Sequence, residues 1–352
     1  MNRNGPSFPK AAVEMYEGIV SHKFLCVFVL GVAILISFIV DVMSGPAWLT
    51  PSDVFTALVT SEKNTNHLII WVIRLPMAIM AVFVGSSLGL AGAQMQTILD
   101  NPLASPYTLG ISAAAGFGAA LAIVLGVGVL PWGNEFLIPL NAFIFSMLCC
   151  VSIYLIAWHK KGTTETLVLA GIALLFLFNA LTTFLEYIST QEDLQAVVFW
   201  LFGSLAKATW LKAGFVGVVL TLVLPLFLMD SWKLTALRLG DNRARSLGVN
   251  VERLRIKSFL LISVLTATAV CFVGIIGFVG LVAPHISRMI VGEDHRYYLP
   301  ASLLGGALLL SVSSIVSKLV IPGAIFPIGI ATSCIGVPFF LYLILRRRSE
   351  FW

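Results

Sequence analysis

Apolar runs separated by short polar intervals fill almost the whole chain. A run of about 18 residues or more is long enough to cross a bilayer as a helix. On this basis Phe24–Val42, Ile69–Ile98, Phe136–Trp158, Glu165–Ile188, Trp210–Met229, Tyr298–Val320 and Pro327–Leu345 each predict one span. Another begins after Ser105-Pro106 and ends near Val129. The run Ile256–Gly292 would be about 55 Å long as one helix, too long for a hydrocarbon core of about 30 Å, so it predicts two spans bending at Gly274–Gly280. The expectation is an all-α polytopic membrane protein: a single domain over residues 1–352 with ten transmembrane helices.

The intervals predict their own local structure. Thr50-Pro51-Ser52-Asp53 reads as the start of a short surface helix, with Thr as cap and Pro in the first turn. Ala196–Ala206 is apolar but too short to span, and predicts a surface or re-entrant piece. Met1–Lys23 reads as a polar lead-in to a retained first span. Gly85, Gly89, Gly92 and Ala93 form a small-residue stripe on the second span, which places that span inside the bundle.

Composition agrees with a bilayer: 59% hydrophobic and only 11% charged residues, against roughly 25% charged in soluble domains. The formal charge of +5 is no nucleic-acid signature, because position explains it. With ten spans, only Lys63, Arg74, Lys207, Lys212 and Lys318 of the 22 basic residues fall on one side. The basic-rich side is then cytoplasmic and holds both termini. The five cysteines lie in apolar runs without metal-ligand spacing and predict packing residues, with no disulfide between Cys149 and Cys150.

The one long polar interval between spans, Asp230–Lys257, carries seven of the basic residues. Ala244, Leu247 and Val251 recur within it at helical spacing, with Gly248 as a stop. It reads either as a handle that docks into a groove of another protein or as a solvated face near anionic lipid. No phosphate-binding loop, His-Glu-x-x-His, Gly-x-Ser-x-Gly or metal-ligand cluster occurs, so no catalysis and no cofactor are expected on this chain. In the fifth span Asn179, Thr182, Thr183 and Glu186 share one helix face, as a substrate pathway or as hydrogen-bonding glue between helices. His285, deep in a span, reads as a packing or hydrogen-bonded histidine ahead of a proton relay.

Several segments, in order, resemble one family. They are Arg74-Leu-Pro, Gly85-Ser-Ser-Leu-Gly-Leu-Ala-Gly-Ala, Asn101-Pro-Leu-Ala-Ser-Pro, Leu109-Gly-Ile-Ser, Phe199-Trp-Leu-Phe-Gly-Ser-Leu, Ala244-Arg-Ser-Leu-Gly, Gly277-Phe-Val-Gly-Leu-Val-Ala-Pro-His-Ile-Ser-Arg and Pro338-Phe-Phe. Together they resemble the permease subunits of iron-siderophore and cobalamin-type ABC importers. The resemblance implies ten helices per subunit, cytoplasmic termini, and a bacterial inner-membrane location. It implies separate ABC ATPase subunits holding ATP and Mg, a second permease subunit, identical or paralogous, and a periplasmic or lipid-anchored substrate-binding protein. Coupling to the ATPase falls to Gly240, Asp241, Arg243, Ala244, Arg245, Leu247 and Gly248. An inner gate falls to Asn101, Leu103, Thr163 and Thr164. Docking of the binding protein falls to Arg74, and Lys318 is a candidate second contact because Met77 stands where the family has another arginine. A ferric siderophore is the expected cargo, ahead of haem, cobalamin and molybdate. The rival class is an ion-coupled secondary transporter.

Overall fold

The computed structural model describes residues 10–47, 49–60, 64–127, 134–159, 164–321 and 323–346. Among the described residues the regular elements are all helices, with no strand. In chain order the helices are α1 (Lys10–Met43), α2 (Pro51–Val59), α3 (Thr65–Leu68), a π-helical stretch (Ile69–Arg74), α4 (Leu75–Ile98), α5 (Ile111–Leu125), α6 (Asn134–His159), α7 (Thr164–Ile188), α8 (Gln191–Leu201), α9 (Trp210–Met229), α10 (Ser231–Leu237), α11 (Asp241–Ser246), α12 (Val251–Val273), α13 (Val279–Val291), α14 (His295–Leu319) and α15 (Ile328–Arg346). Among the described residues seven helices are long and apolar enough to cross a bilayer, and α5, α13 and the Ile328–Tyr342 part of α15 are shorter apolar helices.

Local chemistry explains the boundaries. Thr50 and Asp53 close a reciprocal capping box on α2, with Pro51 in its first turn. The π-helical stretch precedes Pro76, whose ring lacks an N–H and clashes with the carbonyl one turn back; a wider turn relieves both. The run from 256 to 292 does break in two, at Gly274–Phe278 between α12 and α13. Several boundaries differ from expectation: α5 begins only at Ile111, after turns over 106–110, and not directly after Ser105-Pro106. Helix α1 already begins at Lys10, because a helix continues past the hydrocarbon into its polar flank. Helix α5 stops at Leu125, where Gly126 takes up a left-handed backbone.

The core is built on α4, wrapped by α12, α13 and α14. Gly85 and Gly89 face Gly306 and Ser302, spaced four apart on each helix, and Gly92 meets Gly280 at the start of α13. A Cβ at any of the three α4 glycines would run into backbone, so the helices touch main chain to main chain. Short apolar α8 leads to a junction of three helix ends. There Gly329 N–H donates to Phe202 O (3.0 Å), Ile328 N–H to Gly203 O (3.2 Å) and Ser204 N–H to Val273 O (2.7 Å). Backbone groups freed by three helix ends thus satisfy one another, as they must away from water.

Candidate functional site

The polar interval after α9 is a folded device. Asp230 stands at its start, buried, and receives Lys233 Nζ (2.8 Å) and Lys257 Nζ (2.5 Å) on its two oxygens. Burial alone would raise this carboxyl; the two ammonium groups outweigh it and hold it below the ordinary carboxylate range. Gly240, at φ +95°, opens α11, and Asp241 in its first turn takes both Nη groups of Arg255 at 2.8 Å. The helix ends in a Schellman pattern: Val249 N–H reaches Ala244 O (3.0 Å), Gly248 N–H reaches Arg245 O (2.9 Å), and Gly248 sits at φ +83°. Asn250 then caps α12 by accepting from Arg253 N–H at 3.0 Å.

This geometry revises the expected docking face. Ala244 and Val251 are buried within the chain and form the hydrophobic seat of α11. Only Leu247 of the apolar trio is turned outward, half exposed, with Arg243 and Arg245 beside it. The Schellman cap is the reason: it needs Ala244 and Val249 inside. Arg245 lies 3.7 Å from Glu252, both in solvent.

The α4–α5 connector stands next to this device. Asp100 has a left-handed backbone (φ +46°), and Asn101 Oδ1 accepts from Leu103 N–H at 2.9 Å, a side-chain-closed turn. Ala104, Ser105 and Pro106 are buried, which fixes the connector's far end. Leu103 is exposed on the wall of a cavity of about 660 Å³, whose lining also includes Tyr107, Phe202, Phe278, Ser333 and Phe340. Phe278 there holds φ +64°, which bulky side chains rarely adopt, with its ring against Gly336. Thr164 begins α7 and is half-buried. Thr163 lies outside the described residues.

The polar set on α7 divides. Asn179 and Thr183 are exposed and Glu186 is half-buried, while Thr182 turns into the bundle and donates to Phe178 O of its own helix (2.8 Å). Three of the four therefore share an outward face.

Arg74 and Lys318, expected at the surface as docking residues, lie inside. Arg74 is buried and donates to Val42 O (3.1 Å), Met43 O (2.7 Å) and Ala47 O (2.5 Å). Lys318 is buried against Asp41, 2.8 Å from Oδ1 and 3.1 Å from its backbone oxygen; Ser314 Oγ donates to the same Oδ1 at 2.9 Å. Both cations close the C-terminal carbonyls of α1, so in this structure neither offers its charge to a partner. The available signal was Asp41 itself, a carboxylate at the end of an apolar run that must be paired.

A second cluster was missed. Arg238 bridges Asp100 (Nη1 to Oδ1, 2.5 Å) and Glu293 in the α13–α14 turn. Arg255 also donates from Nε to Ile98 O at 3.0 Å. Thr97 Oγ1 and Thr235 Oγ1 lie 2.9 and 3.2 Å from the two ring nitrogens of His295, joining α4, α10 and α14. These residues are scattered over nearly 200 positions, and no local pattern announces them.

The FecCD transport family matches residues 33–346. MJ0087 of Methanocaldococcus jannaschii, named as an ABC transporter permease protein, is 39% identical over 344 residues, covering 96% of this chain and 99% of that one. The hemin transport system permease protein HmuU of Yersinia pestis is 38% identical over 300 residues, covering 84% and 89%. A solved inward-facing structure assigned to a metal-chelate type ABC transporter superposes with a TM-score of 0.81 at 32% identity, covering 91% of this chain and 99% of that one. An all-helical, multi-pass chain matched along nearly its whole length by such permeases is itself one of them, a member of the FecCD transport family.

Proposed function

We propose that this chain is the membrane-spanning permease subunit of a binding-protein-dependent, ATP-driven importer of an iron chelate in a bacterial inner membrane. The observation that carries the reading is the 230–257 segment. It presents Arg243, Arg245 and Leu247 on a rigidly capped turn whose other side is sealed into the bundle. A rigid, basic projection with one apolar tip suits a protein groove better than a lipid surface. Two ATPase subunits close on ATP and displace this turn in each of two permease subunits, identical or paralogous. The exposed face of α7, with Asn179, Thr183 and Glu186, lines the pathway between them, and Asn101, Leu103 and Thr164 close it on the cytoplasmic side. The seven long and three shorter apolar helices are read as ten spans, which puts both termini in the cytoplasm.

The cargo read first is a ferric siderophore, carried as a whole complex. Haem follows, because a relative 38% identical is named as a hemin permease. Arg245→Glu combined with Leu247→Asp tests the core of the proposal. Membrane insertion should persist, while ATPase co-purification and uptake of labelled ferric siderophore are lost. Normal uptake by this variant, or uptake driven by an ion gradient without ATP, rejects the reading.

A further inference from the structure

We propose that Arg238 is a positioning residue that ties movement of the coupling segment to the gate connector through Asp100. This rests on the reading above, in which 240–248 meets an ATPase and Asn101–Leu103 close the pathway.

Arg238 is mostly buried, at the hinge between α10 and α11, one residue beyond the last turn of α10 and two before Gly240. Its planar fork holds two carboxylates at once, Asp100 and Glu293, and Arg288 Nε stands 3.8 Å from the same Glu293. Glu293 and Arg288 belong to the α13 end, which is packed on α4, so this side of the fork is an anchor. The Asp100 side is different. Its side chain is 74% exposed and Arg238 is its one ion-pair partner among the described residues. Asp100 has a left-handed backbone, and Asn101 and Leu103 follow it immediately. From Ala104 onward the connector is buried again, so a displaced Asp100 shifts the two or three residues between it and that fixed point.

A second tie ends nearby. Asp241, at the start of α11, holds Arg255, and Arg255 holds Ile98 O in the last turn of α4. Both links run from the coupling segment to residues 98–100.

The test uses the complete transporter in vesicles, with uptake of ferric siderophore and ATP hydrolysis measured on the same preparation. Asp100→Asn removes the charge and keeps a residue that tolerates the left-handed backbone. It should retain the ATPase subunit and hydrolyse ATP, while uptake per ATP falls about threefold, the scale of one largely exposed ion pair. Arg238→Gln should fall at least as far, Arg238→Lys should recover part of the loss, and the double variant Arg238→Gln, Asp100→Asn should be no worse than Arg238→Gln alone. Wild-type uptake per ATP in Asp100→Asn overturns the proposal, as do single losses that multiply in the double variant. A wild-type chain that binds no ATPase counts against the importer reading instead.

Discussion

Helices α4 and α7 are nearly equal in apolar character and opposite in placement. Their spans have nearly the same mean hydropathy, 2.3 and 2.2, yet 21 of the 24 residues of α4 are buried within the chain and only 6 of the 25 of α7. Hydropathy says that both cross a membrane; it does not say where they stand. Spacing of small residues does. Helix α4 brings Gly85, Gly89 and Gly92 onto the backbones of α14 and α13, whereas α7 turns Leu169, Phe176 and Phe184 outward. One helix is the axle of the subunit. The other presents an apolar face that the rest of the chain leaves uncovered. The largest expected effect breaks the axle. Gly92→Leu pushes a side chain into the Gly280 backbone, which cannot yield, and should cost about 3 kcal/mol or more. Size-exclusion in detergent should show loss of monodisperse protein. Leu169→Ala on α7 should stay within about 0.5 kcal/mol of wild type in a thermal-shift assay. Equal losses at the two sites would erase the distinction.

Helix α1 sharpens the comparison. It is as exposed as α7, but it is fastened by charge. Asp41 and Lys318 are both buried and paired, and Arg74 caps the neighbouring carbonyls. Lys318→Met strands a carboxylate in the interior and should cost about 3–5 kcal/mol. The double variant Asp41→Leu, Lys318→Met should regain most of that, since replacing a buried pair by apolar side chains is often neutral. A double variant no more stable than the single one would show that the pair has a role beyond mutual neutralisation.

The span pattern was legible because a bilayer imposes length and apolarity on every crossing helix; Trp210–Met229 agrees at both ends. The bend before α13 and the buried stripe of α4 were legible for the same kind of reason, one from length and one from spacing. The roles of individual charges were not. Arg74 and Lys318 look alike from sequence whether they project outward or turn back onto α1, because the deciding groups are backbone carbonyls 27 to 32 residues away and a carboxylate 277 residues away. Ala244 and Val251 show the same limit. Helical spacing identifies an apolar face without saying whether it packs on its own chain or on a partner. The Arg238 cluster needs three turns to meet, and that is a property of the fold.

Within α7 the comparison narrows to two polar residues three apart. Thr182 faces inward and is satisfied by Phe178 O of its own helix, while Asn179 faces out. Thr182→Val removes only a bond back to its own helix, which adds little to helix stability. Both uptake and melting temperature should stay near wild type. Asn179→Leu should leave melting unchanged within about 0.5 kcal/mol and lower uptake severalfold, since it strips a hydrogen-bonding group from the outward face. If Thr182→Val proves the more damaging for uptake, the pathway does not run along that face.

The smallest effect concerns the clamp at the base of the 230–257 segment, which lies outside the spans and so contrasts with the apolar contacts of both α4 and α7. The Asp230 carboxyl is held below its ordinary value by Lys233 and Lys257 despite burial. A group with a depressed folded-state pKa adds stability above its unfolded value, near 3.9 for aspartate, and loses it as pH falls through the lower folded value. The clamp is therefore fully present at neutral pH and loosens only in acid, below about pH 4. Its two lysines remain about half exposed and rehydrate when Asp230 is protonated, which limits the loss to about 1 kcal/mol or less. Asp230→Asn should lower the melting temperature slightly at pH 7 and flatten its dependence between pH 5 and pH 3 (about the carboxylate range) relative to wild type. An unchanged acid slope in that variant would assign the pH response to other carboxylates, with Glu293, also held low by Arg238 against the effect of burial, the next to test.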